Sequence, residues 1–145
     1  MFKHILLPTD GSDLSLRAAK LGIELARTCG ARVYALHVIA PYHTIAYMAE
    51  MLAATEITYT QDATVRAEQY LAEVRRMAEA AGMECSTEYV FDDRPHEAII
   101  RTAREQHCDL VVMATHGWRG FTRLLLGSEV HKVLLESEIP VLVCR

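Results

Sequence analysis

Strand-like and helix-like segments alternate along this chain. The alternation predicts an α/β fold: an open, doubly wound sheet of five parallel strands, order 3-2-1-4-5, with helices on both faces. Three observations carry the prediction. Five short apolar runs are separated by stretches with helical periodicity. Three of those runs, HILL, VVM and VLV, are apolar without alternation, as strands covered on both faces are. Crossovers between parallel strands are right-handed in about 98% of cases, which narrows the topology.

The elements follow in order. HILLP (His4–Pro8) is the first and central strand. From Leu14 to Cys29 a helix sets Leu14, Ala18, Leu21 and Leu25 on one face, with Ser12 or Asp13 as N-cap and Gly30 as its stop. RVYALHVI (Arg32–Ile39) is the second strand. Pro41 to Gln61 has no firm period; a short helix near Ile45–Ala53 is expected there, because long structureless loops are uncommon in compact domains. A second long helix is read from Asp62 to Ala81 through Val65, Leu71, Val74, Met77 and Ala78, and Gly82 ends it. Met83–Phe91 alternates, with Met83, Cys85, Thr87, Tyr89 and Phe91 on one side, and is placed at a sheet edge. Pro95 opens the next helix, to about Gln106, where its missing N–H costs nothing. DLVVMAT (Asp109–Thr115) is the fourth strand. The last helix begins at Ser128, buries Val130, Val133 and Leu134, and stops before Pro140; PVLVC (Pro140–Cys144) is the fifth strand.

Composition removes several function classes. At 145 residues, 51% apolar and 23% charged, the chain suits one domain with a core of its own. A net charge of -4 without any basic run argues against nucleic acid as a partner. Cys29, Cys85, Cys108 and Cys144 form no CxxC pair and read as buried, reduced thiols. No stretch approaches the roughly 20 apolar residues a membrane span needs, and the opening MFKHILLPTDG lacks a signal-peptide pattern. A cytoplasmic protein without membrane attachment is expected.

In an open α/β sheet, ligands bind beyond the carboxyl ends of the strands, where strand order reverses. For order 3-2-1-4-5 that point lies between the first and fourth strands. The loops emerging there are Pro8-Thr9-Asp10-Gly11-Ser12 and the stretch from Ala114 to Ser128. In the second loop Gly117 and Gly120 carry no side chain where a ligand can approach the backbone. Gly127-Ser128 opens a helix whose first N–H groups lack intrahelical partners, an anion site in waiting. The Ser128 hydroxyl can donate to a phosphate oxygen, and His116, Arg119 and Arg123 are further candidate phosphate contacts. An ordinary crossover fits the same residues, with Gly127 as a turn, Ser128 as a plain N-cap and the arginines solvated. These residues alone leave both readings open.

The loop also resembles the universal stress protein family, whose nucleotide-binding members carry Gly-x2-Gly-x9-Gly-Ser/Thr after the fourth strand. This chain reads Ala114-x2-Gly117-x9-Gly127-Ser128, with the spacing kept and the first glycine replaced. HILLPTDGS, LHVI and IPVLVCR are similar to that family too, so the resemblance runs over the whole chain. It implies one domain, residues 1–145, with a Rossmann-like, adenine nucleotide alpha hydrolase-like fold. It implies a homodimeric, ATP-binding module of stress responses without a dedicated strong catalytic activity. Carried over residue by residue, Pro8, Thr9 and Asp10 match the loop that meets adenine and ribose. Val38 and Met113 match the residues beside the base. Ala114 takes the place of the first glycine, and Gly117, Gly127 and Ser128 match the phosphate cradle, continued by the backbone of Glu129 and Val130. Mg2+ is expected with the nucleotide, and Asp10 is the residue to reach it, directly or through water.

Two departures bear on that transfer. Ala114 either strains the backbone or crowds the ligand. Glu129 puts a carboxylate on the first helical turn, either as a partner of the helix dipole or as a repulsive neighbour of phosphate. A nucleotide-free dimer acting through protein contacts treats both as marks of a lost site. An ATP pyrophosphatase is the third reading, because TDGSDLS is loosely similar to the SGGxDS of those enzymes, through Gly11, Asp13 and Ser15.

The remaining signals are weaker. Histidines 37, 43, 96, 107 and 131 show no His-x3-His spacing, so no protein-built metal site is expected. Trp118 is expected to pack on the neighbouring helix. The last strand (Pro140, Val141, Leu142, Val143, Cys144) is apolar yet falls at an edge. Pairing with the same strand of a second copy covers it, and the family's dimers use this strand.

Overall fold

The computed structural model describes residues 1–49, 55–118 and 126–145. Strand β1 (His4–Pro8) lies at the centre of the sheet, with β2 (Arg32–Ile39) and β4 (Leu110–Ala114) paired parallel on its two sides. Strands β3 (Cys85–Phe91) and β5 (Val141–Cys144) are the edges, so the order is the expected β3-β2-β1-β4-β5. Among the described residues, five helices connect them: α1 (Asp13–Cys29), α2 (Tyr42–Ala49), α3 (Glu56–Ala80), α4 (Pro95–Glu105) and α5 (Ser128–Glu136).

Period-2 alternation divides the strand side chains between two cores. Ile5, Leu7, Val33, Ala35, Val112 and Ala114 face α1 and α3, meeting Ile23, Leu71 and Val74. Leu6, Leu36, Val111 and Met113 face α4 and α5, meeting Ile99, Val130 and Val133. Both faces are covered, which is why the central strands read as continuous apolar runs.

Helix ends follow their caps. Ser12 caps α1, its hydroxyl accepting from the Ser15 N–H at 3.2 Å, and Gly30 ends it at φ +69°. Helix α3 starts six residues before the expected Asp62, because Thr55 caps it by accepting from the Thr58 N–H at 3.1 Å. The Tyr59 hydroxyl also ties that first turn to the Ala40 carbonyl. The expected short helix is α2, which starts three residues earlier than the sequence suggests; residues 50–53 of that expectation lie outside the described residues. Strand β3 begins at Cys85, not Met83, and Tyr89 and Phe91 are exposed on it, as an edge permits.

Three helix faces differ from expectation. On α1 the buried stripe is Ser15, Ala18, Ala19, Gly22, Ile23 and Ala26, while Leu21 is 44% exposed. Close approach to the sheet selects small residues there: a Cβ at Gly22 would run into the Leu7 side chain and sit 3.3 Å from Val112 Cβ. Val65 on α3 and Leu134 on α5 are exposed, the latter because α5 offers only Val130 and Val133 to the sheet. Among the cysteines, Cys85, Cys108 and Cys144 are buried free thiols, and Cys29 is half-buried instead of buried.

Candidate functional site

Two adjoining depressions open at the carboxyl rim, between the ends of β1 and β4. The inner one, about 240 Å³, is walled by Pro8, Leu36, Val38, Pro95, Ile99, Met113 and Val130. The outer one, about 470 Å³, is bounded by Gly117, Trp118, Gly127 and Ser128. Asp10, His116, Gly117, Glu129 and Val130 line both. Pro8, Thr9, Asp10, Val38, Met113, Ala114, Gly117, Glu129 and Val130, each singled out in the sequence, border the inner depression; Gly127 and Ser128 border the outer. Arg119 and Arg123, with Gly120, lie outside the described residues.

The β1–α1 loop is shaped by its own side chains. The Thr9 N–H extends the sheet by donating to the Leu36 carbonyl at 2.9 Å, and the Thr9 and Ser15 hydroxyls lie 3.0 Å apart. Asp10 Oδ1 accepts from the Ser12 N–H at 3.0 Å. Gly11 takes φ +80° with its α-carbon against the Tyr70 ring, where a Cβ would collide. Only glycine meets both conditions.

His37 braces this loop from beneath. Its ring lies edge-on to Tyr70 at 5.3 Å, and its Nδ1 is 2.8 Å from the Thr9 carbonyl. A carbonyl only accepts, so Nδ1 carries the hydrogen. Burial lowers the His37 pKa below 6.5, outweighing the Thr9 hydrogen bond and the nearby Asp10 carboxylate; Arg66 lowers it further. The ring is neutral at pH 7. In the sequence His37 is a strand residue with no sign of this role; alternation puts it on the face opposite Val38, and the Tyr70 contact has no sequence signal.

The β4–α5 loop supplies backbone donors. Gly127 is the N-cap of α5, its own N–H tied to the Thr115 carbonyl at 2.7 Å, so Ser128 is the first helical residue and not the cap. A Cβ at Gly127 would lie 3.2 Å from His116 Cα and 3.3 Å from the Thr115 carbonyl oxygen, so the two glycines here serve loop packing as well as access. At Gly117 a Cβ would overlap the Asp10 carboxylate. The N–H groups of the first turn of α5 have no intrahelical acceptor and border the outer depression.

Both departures find a physical role. Ala114 is a β4 residue paired with Cys144, buried in the α1/α3 core; among the described residues only His107 is a non-glycine with positive φ, so Ala114 is not strained. Glu129 caps a different helix from its own. Helix α4 has no side-chain cap from Arg94, and Glu129 Oε2 accepts from the His96 N–H at 2.8 Å and the His96 Nδ1 at 2.9 Å. Partial burial pushes the Glu129 carboxyl up, but the two His96 hydrogen bonds and Lys132 outweigh it and hold the pKa low. The carboxylate is therefore ionised and turned toward α4, where it accepts both His96 hydrogen bonds.

Trp118 does not pack on a neighbouring helix. It is 64% exposed; its indole N–H donates to the Asp10 carbonyl at 2.7 Å and its backbone N–H to Asp10 Oδ2 at 3.2 Å. His116 turns its Nδ1 to the Thr115 hydroxyl at 3.1 Å. Among the described residues no three histidine, cysteine or acidic side chains converge as a metal site, and no helix is long and apolar enough to cross a membrane.

A five-stranded parallel sheet of order β3-β2-β1-β4-β5, with a two-part cleft and a bare helix N-terminus at its switch point, defines an open, doubly wound α/β protein. Within that class the chain belongs to the universal stress protein family, whose model matches residues 1–145. It is 35% identical over 146 residues to a universal stress protein of Thermus aquaticus, covering 100% of both chains. It is 34% identical over 147 residues to universal stress protein MJ0531 of Methanocaldococcus jannaschii, covering 100% of this chain and 83% of that one. Among solved structures, protein MJ0577 of the same archaeon superposes with a TM-score of 0.83 at 28% identity, over 99% of this chain and 96% of that chain. A universal stress protein solved in complex with cAMP superposes with a TM-score of 0.71 at 25% identity, over 99% and 97% of the two chains.

Proposed function

We propose that this protein is a nucleotide-responsive stress module that binds ATP, with Mg2+, across the two depressions. The observation that carries the reading is their division of labour. An apolar inner depression suits a base, and the outer one presents the first-turn N–H groups of α5 to phosphates. The cAMP complex of a relative supports an adenine-bearing ligand.

In this reading Val38, Met113 and Val130 hold the base, and Thr9 and Asp10 face the ribose. The N–H groups of Ser128, Glu129 and Val130 and the Ser128 hydroxyl take the phosphates, with His116 beside them. The donor set fits an anion, and the two carboxylates at the outer depression, Asp10 and Glu129, favour a nucleotide that brings its own divalent ion. Asp10 is the residue to reach that ion, directly or through water. Binding, not turnover, is the proposed activity. Two copies pair through the exposed edge of β5, where Leu142 is 38% exposed, in the cytoplasm.

Calorimetry with Mg-ATP tests the site: saturable binding is expected, and none at millimolar nucleotide overturns it. Gly127→Leu should abolish binding while circular dichroism stays unchanged. Sedimentation should give a dimer, which Leu142→Lys dissociates.

A further inference from the structure

We propose that Asp10 and Trp118 form a latch across the outer depression, one that an incoming anion must open. The inference rests on the nucleotide-binding reading above and adds an access control to it. Asp10 and Trp118 lie 108 positions apart in sequence and are joined twice: backbone N–H to Oδ2 at 3.2 Å, and indole N–H to the Asp10 carbonyl at 2.7 Å. Both residues line the outer depression. The Trp118 N–H belongs to the turn that Gly117 opens, and the Asp10 carboxylate fills the space a Gly117 side chain would need. A protein carboxylate thus occupies a donor on the turn that borders the phosphate side of the cleft.

The contact is built to be reversible. The indole is 64% exposed, so these two bonds hold it with little packing behind them. Exposed hydrogen bonds exchange with water at small net gain, which biases such an equilibrium by only about three- to tenfold. A site whose open form is a minority binds more weakly by that fraction, and weakening the latch recovers the affinity.

Trp118 is the chain's single tryptophan, so its fluorescence reports the latch without interference. In the ligand-free protein, time-resolved anisotropy should show a restrained indole, and saturating Mg-ATP should free it on the nanosecond scale. An indole already free in the ligand-free wild type, or one still restrained at saturating Mg-ATP, overturns the latch. Calorimetry on Trp118→Phe, which keeps a ring and loses the indole N–H, should show Mg-ATP bound about three- to tenfold tighter than wild type. Unchanged affinity overturns the proposal; weaker affinity overturns it too, by making Trp118 a wall of the ligand site. If neither protein binds nucleotide, the binding reading fails and the gating role with it, whereas wild-type binding with no gain in Trp118→Phe sinks the latch alone.

Discussion

The two rims of the sheet use the same residue type to opposite ends. At the amino rim Asp109 gathers backbone donors at the start of β1 and just before it: its carboxylate accepts from the Lys3 N–H at 2.8 Å and the His4 N–H at 3.1 Å. Its own N–H returns a bond to the His4 carbonyl at 2.9 Å, and the His4 Nδ1–H donates to the Gln106 carbonyl at 2.8 Å. Further along β2, the Tyr34 hydroxyl donates to Glu88 of β3 at 3.0 Å; burial, then that bond and the charge on Glu88, push its pKa up to about 12. Asp10 at the carboxyl rim also ties loops together, yet the first turn of α5 beside it keeps N–H groups free of intrahelical partners. Donors committed within the chain make a structural rim. Donors left facing a cavity make the rim proposed above for binding.

Substitutions at the two rims should therefore separate stability from ligand affinity, with one exception that breaks the division. Gly11→Ala sits at the binding rim but should unfold more than it unbinds. A methyl there meets a φ of +80° and the Tyr70 ring together, so a loss of roughly 2–5 kcal/mol is expected in urea unfolding. A loss below about 1 kcal/mol would mean that the loop and α3 part easily. Asp109→Ala should cost about 1–3 kcal/mol by leaving donors of Lys3 and His4 without an acceptor, with Mg-ATP affinity unchanged. Hydrogen bonds from the His4 and Lys3 backbones outweigh burial and hold the Asp109 carboxyl below 3.8. Its contribution is thus full above that pH and fades as acid protonates the folded state, so the Asp109→Ala deficit should shrink in the same window.

Ser128→Ala is the mirror of Asp109→Ala. Ser128 is exposed, and Gly127, not Ser128, is the N-cap, so unfolding should move by less than about 0.5 kcal/mol. Nucleotide affinity should fall several-fold by calorimetry. A stability loss larger than the affinity loss would assign Ser128 to the structure and blur the contrast between the rims.

What the sequence made legible was the part fixed by local pattern. The strand order followed from which runs were apolar throughout and which alternated, and the switch point then put the β1–α1 and β4–α5 loops together. Faces were less legible where packing distance overrides hydrophobicity: Leu21 lost the sheet to Gly22 and Ala18 because α1 lies too close for leucine. Partners distant along the chain were not legible at all. Glu129 reads as a hazard to phosphate until α4, 33 positions earlier, brings the uncapped His96 N–H to its carboxylate. Trp118 reads as a packing residue until Asp10 arrives from 108 positions away.

The smallest expected effect concerns His37, where the binding rim rests on a buried ring. Burial lowers the His37 pKa below its ordinary 6.5, with Arg66 adding to it against the Thr9 carbonyl and Asp10. Above pH 6.5 both folded and unfolded chains hold the ring neutral, and His37 imposes no pH dependence. As pH falls below 6.5 the unfolded chain takes up a proton that the folded chain refuses, so stability declines until the lowered folded pKa is reached. Urea midpoints should therefore drop more steeply from pH 7 to 5.5 in wild type than in His37→Asn, which keeps a donor for the Thr9 carbonyl and does not titrate. If the wild type were the flatter of the two, the ring would be gaining a proton on folding, and the neutral brace beneath the Thr9–Gly11 turn would have to be redrawn as a cation facing Asp10.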